Sequence, residues 1–172
     1  ELEDVRKIVF QDPLTGLYNR KALKHQVDLW YKNNGQQQIA AIVMNVDGFS
    51  DFSDKFGHLI GDVILSKIAA KVNSYVDDSG LPVRYGNDEF IILLPDVEAN
   101  VAGEIAEKIR QGVEKLRFIS AKSRVRLPQM TVSLGVGEIG KHEPFSALIK
   151  KSKQALANAQ RNGMNQLAIS AA

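Results

Sequence analysis

An α+β fold, with an antiparallel or mixed sheet of about five strands covered by helices on both faces, is predicted by three features of the sequence. Leu81–Pro95 sets two apolar runs around Gly86-Asn87-Asp88-Glu89, the pattern of a β-hairpin with a tight turn. Ile39–Val46 is nearly continuous apolar sequence, as expected of a strand buried on both faces. Between and after these runs, Val97–Leu116 and Pro144–Asn162 repeat apolar residues at helical spacing. The resulting order is strand, two helices, hairpin, helix, strand, helix, strand.

In order, Leu2, Val5, Ile8 and Val9 read as the end of a helix arriving from upstream, over 1–11. Pro13 sets a turn, and Asn19 is placed to cap a helix over Arg20–Lys32, followed by a polar loop to Gln38. After the Ile39–Val46 strand, Phe49, Phe52 and Phe56 mark a short helix closed by Gly57. A second helix is expected from about Gly61-Asp62 through Val72. On the Val97–Leu116 helix, Val101, Ile105, Ile109, Val113 and Leu116 form the expected buried stripe. Met130–Ile139 reads as a strand with Val132, Leu134 and Val136 on one face, and Gln166–Ser170 as a short last strand.

Composition bounds the function. The 172 residues are 44% hydrophobic and 24% charged, with net charge +2, as in one ordinary globular domain. That charge points to neither nucleic acid nor a membrane surface as partner. There is no cysteine, which excludes disulfide and thiolate chemistry and fits a cytoplasmic location. The chain begins with Glu1 rather than Met, so an excised domain of a longer protein is expected.

Several motifs fail on context. Gly135-Val136-Gly137-Glu138-Ile139-Gly140 matches G-x-G-x-x-G, but no helix opens on the third glycine and no acid lies at 155–165. Those glycines are better explained by close approach of another backbone. The acids of Asp47–Asp62 miss EF-hand spacing, and His25, His58 and His142 are scattered. One constellation survives: Asn45-Val46-Asp47 ends the first strand, and Asp88-Glu89 opens the second arm of the hairpin. Carboxylates from two neighbouring strand ends, with a backbone carbonyl between, are the means of holding Mg²⁺ on nucleotide phosphates.

Asp-Pro-Leu-Thr-Gly-Leu-Tyr-Asn-Arg at 12–20, Phe-Gly-His-x-x-Gly-Asp at 56–62, Arg-Tyr-Gly-Asn-Asp-Glu-Phe at 84–90 and Thr-Val-Ser-Leu-Gly-Val at 131–136 resemble GGDEF domains. These are the diguanylate cyclases, which condense two GTP into cyclic di-GMP. The resemblance runs from Asp12 to about Asn165, so 12–170 is expected to be one GGDEF-like domain with a nucleotidyl-cyclase or palm-like sheet. It implies metal ligation by Asp88, by the residue at Asn45 and by the Val46 carbonyl. Glu89 keeps the acid that follows in the signature, and Asp62 matches the aspartate that reads the guanine edge.

The resemblance breaks where charge matters. The signature's second glycine is Asn87, the strand-end aspartate is Asn45, and the asparagine that pairs with Asp62 is Ser53. The family's phosphate-gripping lysine and arginine align with Gln160 and Met164, and Arg161 lies about 100° away around the helix. Another lysine, after the first strand in many members, aligns with Ser50. The Arg-x-x-Asp feedback site aligns with Asp77-Asp78-Ser79-Gly80, so no inhibitory site is expected. The resulting expectation is a degenerate GGDEF domain, catalytically inactive and regulatory, without cofactor. It would be coupled to a neighbouring sensory or EAL phosphodiesterase domain, with weak GTP binding through Asp62 and Asp88 as a variant. The alternative is an active diguanylate cyclase, working with Mg²⁺ as a homodimer.

Overall fold

The computed structural model describes residues 8–34, 38–121 and 123–171. Its elements are α1 (Arg20–Asn34), β1 (Ile39–Val46), α2 (Phe49–Phe56), α3 (His58–Tyr75), β2 (Leu81–Arg84), β3 (Glu89–Pro95), α4 (Ala99–Glu114), β4 (Val132–Ile139), α5 (Phe145–Arg161) and β5 (Leu167–Ile169). The five strands form one sheet in the order β2-β3-β1-β4-β5. It is mixed: β1 runs antiparallel to both β3 and β4, while β4 and β5 are parallel. The expected α+β architecture is therefore present. Of the upstream helix expected over 1–11, only Ile8–Gln11 belongs to the described residues; Ile8–Phe10 is helical, and Gln11 forms a bridge with Tyr18.

β1 lies at the centre, and its alternating side chains feed two cores. Ala40, Ile42 and Met44 pack with Phe49 and Phe52 of α2, Ile64, Leu65 and Ile68 of α3, and Ala106 and Ile109 of α4. Ile39, Ala41 and Val43 face the other way, onto Leu23 and Val27 of α1 and Leu148 and Leu156 of α5. The central strand is thus apolar throughout because both of its faces are covered. Among the described residues, no helix is long and apolar enough to cross a membrane.

Four features differ from the sequence reading. α1 continues to Asn34, two residues past Lys32, and residues 35–37 of the expected loop lie outside the described ones. α3 begins at His58, because Gly57, at φ 92° and ψ 160°, turns the chain directly from α2 into the next helix. Asp62 accordingly sits in the second turn of α3. α4 buries Ala102, Gly103, Ala106, Ile109, Gly112 and Val113, while Val101 is exposed. Small residues set that face: a methyl group on Gly103 would meet Ile169 and one on Gly112 would meet Tyr75. Finally, the hairpin turn is wider than a two-residue turn, since Arg84 pairs with Phe90 and neither Gly86 nor Asn87 has positive φ.

Gly135 and Gly137 make the expected close approach to another backbone, whereas a Cβ on Gly140 would meet nothing within 4 Å. A Cβ on Gly135 would lie 2.1 Å from the Ser152 carbonyl oxygen and 2.2 Å from the Leu156 nitrogen. Helix α5 therefore rests directly on the β4 backbone. That contact fixes where the end of α5 falls relative to the end of β1.

Candidate functional site

The signature turn is held from below by the 12–20 segment. Arg84 donates through Nε to the Gly86 carbonyl (3.3 Å) and through Nη2 to the Asn87 carbonyl (3.0 Å). Its Nη1 lies 3.3 Å from Asp12 Oδ2. Asp12 Oδ2 in turn accepts from the Thr15 backbone N–H (2.9 Å) and hydroxyl (2.7 Å). Arg20 stacks on the Tyr85 ring at 4.0 Å and donates to the Tyr85 carbonyl. Two motifs that lie far apart in sequence are thus one physical unit. Asn19 caps α1 by accepting from the Ala22 N–H (3.0 Å), which aims Arg20 at the turn.

Burial of Asp12 pushes its pKa up, but the two Thr15 hydrogen bonds and the Arg84 guanidinium reverse this and hold it below the usual carboxylate value. A depressed folded pKa gives stability that is present above about pH 4 and lost as pH falls below it. Asp77, Glu114 and Glu143 are depressed in the same sense. Asp12→Asn is therefore expected to lower the melting temperature at pH 7. It should also flatten, without abolishing, the fall in melting temperature between about pH 5 and 3. An unchanged slope in a thermal-melt series would contradict this.

Asn45 and Glu89 are register partners across β1 and β3, and both share the α5 side of the sheet with Val43 and Ile91. The Asp88 carbonyl accepts from the Val46 N–H (3.0 Å), and Asn45 Nδ2 points at the same oxygen (3.4 Å). The nearest cation to Glu89 is Lys153 of α5, whose Nζ is 3.9 Å from Glu89 Oε1 and 5.4 Å from the Tyr85 ring centroid. Lys153 escaped the sequence reading. Its only signal was its place on α5, two turns before Gln160.

Asp47, the remaining carboxylate at this strand end, is fully engaged. It accepts from the Thr131 hydroxyl (2.8 Å), the Ser133 hydroxyl (2.7 Å) and the Asn165 N–H (3.1 Å). Asp47 therefore ties β1, β4 and the turn after α5 together, with both of its oxygens engaged in that work. In this turn Met164 and Asn165 both have positive φ, 62° and 49°. Arg161 is bonded within its own helix, to Asn158.

On the other side of the turn, Phe49, Ser50, Ser53, Asp54, His58, Asn87 and Asp88 line a cleft of about 260 Å³. Ser53 Oγ lies 3.1 Å from His58 Nδ1. Asn87 is exposed, with its carbonyl and side-chain oxygens both accepting from Arg84. The fold thus brings Ser53, Asn87 and Asp88 to one cleft, while Asp62 stands outside its lining. Small-molecule sites typically enclose about 300–1,000 Å³. The Asn87–Asp88 cleft of a single copy is smaller than that.

The donors do not suit Mg²⁺. Asp88 is the one carboxylate at the expected position, Asn45 presents a neutral amide, and Glu89 has a lysine beside it. Among the described residues, no group of three or more His, Asp and Glu side chains is placed to hold a metal ion. Mg²⁺ on a nucleotide is held through one or two carboxylates, and at these strand ends Asp88 is left without a second carboxylate at position 45.

The mixed sheet, the double helical cover and the turn built on Arg84 and Asp12 define a nucleotidyl-cyclase-like domain. The chain belongs to the GGDEF domain family of diguanylate cyclases, whose family model matches residues 9–166. It is 34% identical over 174 residues to the response regulator PleD of Caulobacter vibrioides, covering 99% of this chain and 38% of that protein. It is 32% identical to the diguanylate cyclase VdcA of Vibrio cholerae, over 97% of this chain and 49% of that one. The chain thus spans about half or less of the curated relatives it matches. Among solved structures, the coiled coil and GGDEF domain of DgcB from Caulobacter crescentus, in complex with c-di-GMP, superposes with a TM-score of 0.91. That match has 28% identity and covers 98% of this chain and 90% of that one.

Proposed function

We propose that this chain is the regulatory, catalytically impaired GGDEF domain of a larger cyclic di-GMP signalling protein. The observation that carries the reading is Asn45 opposite Glu89: the strand end that should supply charge to a metal presents an amide turned toward the Asp88 carbonyl. Two further features support it. Lys153 gives Glu89 a cation from within the chain, and the end of α5 and the turn after it, tied to the site through Asp47, carry Gln160 and Met164 in place of cations. Missing charge stabilisation typically costs about a hundredfold or more per group in rate. The 77–80 segment supports the reading without a feedback site, since its Asp77 carboxylate is engaged locally by the Ser79 N–H (2.9 Å) and hydroxyl.

In this role the domain passes a signal between neighbouring sensory or EAL phosphodiesterase domains of the full-length protein. The second reading, an active diguanylate cyclase using Mg²⁺ as a homodimer, draws support from Asp88 and Glu89, which keep both signature acids. Incubation with GTP and Mg²⁺ or Mn²⁺, followed by chromatography for cyclic di-GMP, separates the two. The expected result is no product above a Glu89→Ala control. Product that vanishes in Glu89→Ala would favour the second reading, and calorimetry with GTP then separates a silent domain from one that senses the nucleotide.

A further inference from the structure

Away from the signature turn, a groove of about 590 Å³ runs between the first turns of α3 and the segment after α4. Phe56, Leu59 and Val63 line one wall, and Phe118, Ile119 and Leu127 the other. Phe118–Leu127 folds back on itself as a two-stranded ribbon. Ile119 bridges Arg126, the Leu127 N–H donates to the Phe118 carbonyl (2.9 Å), and Arg124, at φ 53°, makes the bend. Phe118 and Leu127 point into the core, which leaves Ile119 and Val125 outside at 64% and 59% exposure. Leu59 is 83% exposed and Val63 54%. This is a continuous exposed apolar surface, of the kind that marks an interaction site rather than scattered single residues.

Charge says what covers it. No acidic side chain lines the groove among the described residues, and Lys67 does. Arg126 stands across the ladder from Ile119, and Arg124 is exposed at the tip of the ribbon. Between Glu114 and Glu138 the sequence holds Lys115, Arg117, Lys122, Arg124 and Arg126 and no acid at all. Lys67 in the lining and Arg124 and Arg126 on the adjoining ribbon thus give this apolar trough a basic rim. A trough lined by Leu, Ile, Val and Phe is the shape that takes an amphipathic helix by its apolar stripe. Its basic rim selects acids on the flanks of that helix. A flat anionic membrane would leave the floor formed by Phe56, Phe118 and Leu127 unfilled.

We propose that this groove docks an acidic amphipathic helix of a partner protein. His58 lines both the groove and the Asn87–Asp88 cleft, so an occupant here abuts the signature turn. The interaction surface is independent of whether the cleft binds GTP, and it stands or falls separately from the regulatory reading above.

The test uses the whole chain and a fluorescein-labelled synthetic helix of about 18 residues, with Leu at i, i+3, i+4 and i+7 repeats and Glu on both flanks. Fluorescence anisotropy is expected to show saturable binding. That binding should weaken at least tenfold in Leu59→Glu and in Ile119→Glu, and several-fold in the Arg124→Glu, Arg126→Glu double variant or when salt rises from about 50 to 300 mM. The same helix with Lys in place of Glu should not bind. Leu59, Ile119, Arg124 and Arg126 are all exposed, and circular dichroism and melting curves check that the variants remain folded. No saturable binding of the acidic helix, or binding indifferent to Leu59→Glu, overturns the proposal. So does a self-associated species in sedimentation that Ile119→Glu dissociates while the helix fails to bind, which would make a second copy the occupant. Co-sedimentation with anionic vesicles, lost in Ile119→Glu and without helix binding, overturns it in favour of a membrane surface.

Discussion

Gly135→Ala is expected to destabilise the fold by about 3 kcal/mol or more, at or beyond the upper end of what overpacking usually costs. The added methyl would fall 2.1 Å from the Ser152 carbonyl oxygen and 2.2 Å from the Leu156 nitrogen. These are backbone atoms of α5, so no rotamer change relieves the clash. The helix has to lift from β4 along the stretch that buries Leu148, Leu156 and Ala159. Against a typical domain stability of about 5–15 kcal/mol, that is a large fraction, and the melting temperature should drop on the order of 10 °C. Gly137→Ala is the comparator. Its closest neighbour, at 2.7 Å, is the Ser152 hydroxyl, which can rotate away, although the Ser152 nitrogen at 3.2 Å still crowds it. It should cost clearly less. Urea denaturation of both variants checks the pair, and a loss below about 1 kcal/mol for Gly135→Ala would refute the direct contact between α5 and β4.

The same contact shows what a linear sequence conveys and what it hides. Ile39–Val46 announces a central strand because a strand covered on both faces must be apolar at every position, and no partner need be known to see it. The paired runs around Gly86-Asn87 announce a hairpin for a similarly local reason. The width of that turn was not legible. Its carbonyls are satisfied by Arg84, whose side chain is itself aimed by Asp12, 72 residues away. The buried face of α4 misled because apolar periodicity counts large side chains, while this helix is packed through Gly103 and Gly112. At the site, the motifs located Asn45, Asp88 and Glu89, and the neutral residues Gln160 and Met164, by position alone. Lys153 beside Glu89, Arg20 on Tyr85 across 65 residues, and Asp47 on Asn165 across 118 depend on tertiary placement. Asp47 carries a further lesson. A carboxylate at a strand end reads as a metal ligand, yet here both of its oxygens hold Thr131, Ser133 and Asn165.

If lost charge is the reason for impaired nucleotide binding, putting the charge back should restore it. The triple variant Asn45→Asp, Gln160→Lys and Met164→Arg is expected to bind GTP with Mg²⁺ at least about a hundredfold more tightly than the parent chain. Each charge-assisted contact contributes about 1.5–3 kcal/mol, and a hundredfold needs only about 2.8 kcal/mol, which leaves room for non-additivity. The backbone is already in place for the change. Asp47 anchors the turn after α5 to the end of β1, and position 164 has φ 62° with Met as it would with Arg, so the exchange adds no new strain. Single substitutions should achieve little. Asn45→Asp alone sets a second carboxylate opposite Glu89 with only Lys153 to offset it, and the two α5 changes alone add cations without a metal site. Isothermal titration of parent, singles and triple with GTP and Mg²⁺ reads the outcome, with cyclic di-GMP production and its loss on adding Glu89→Ala as the chemical check. A triple variant that binds no better than the parent would show that shape, and not charge, silences the site. A parent that already binds GTP as tightly as the triple would show that the cleft grips phosphate through groups other than these three.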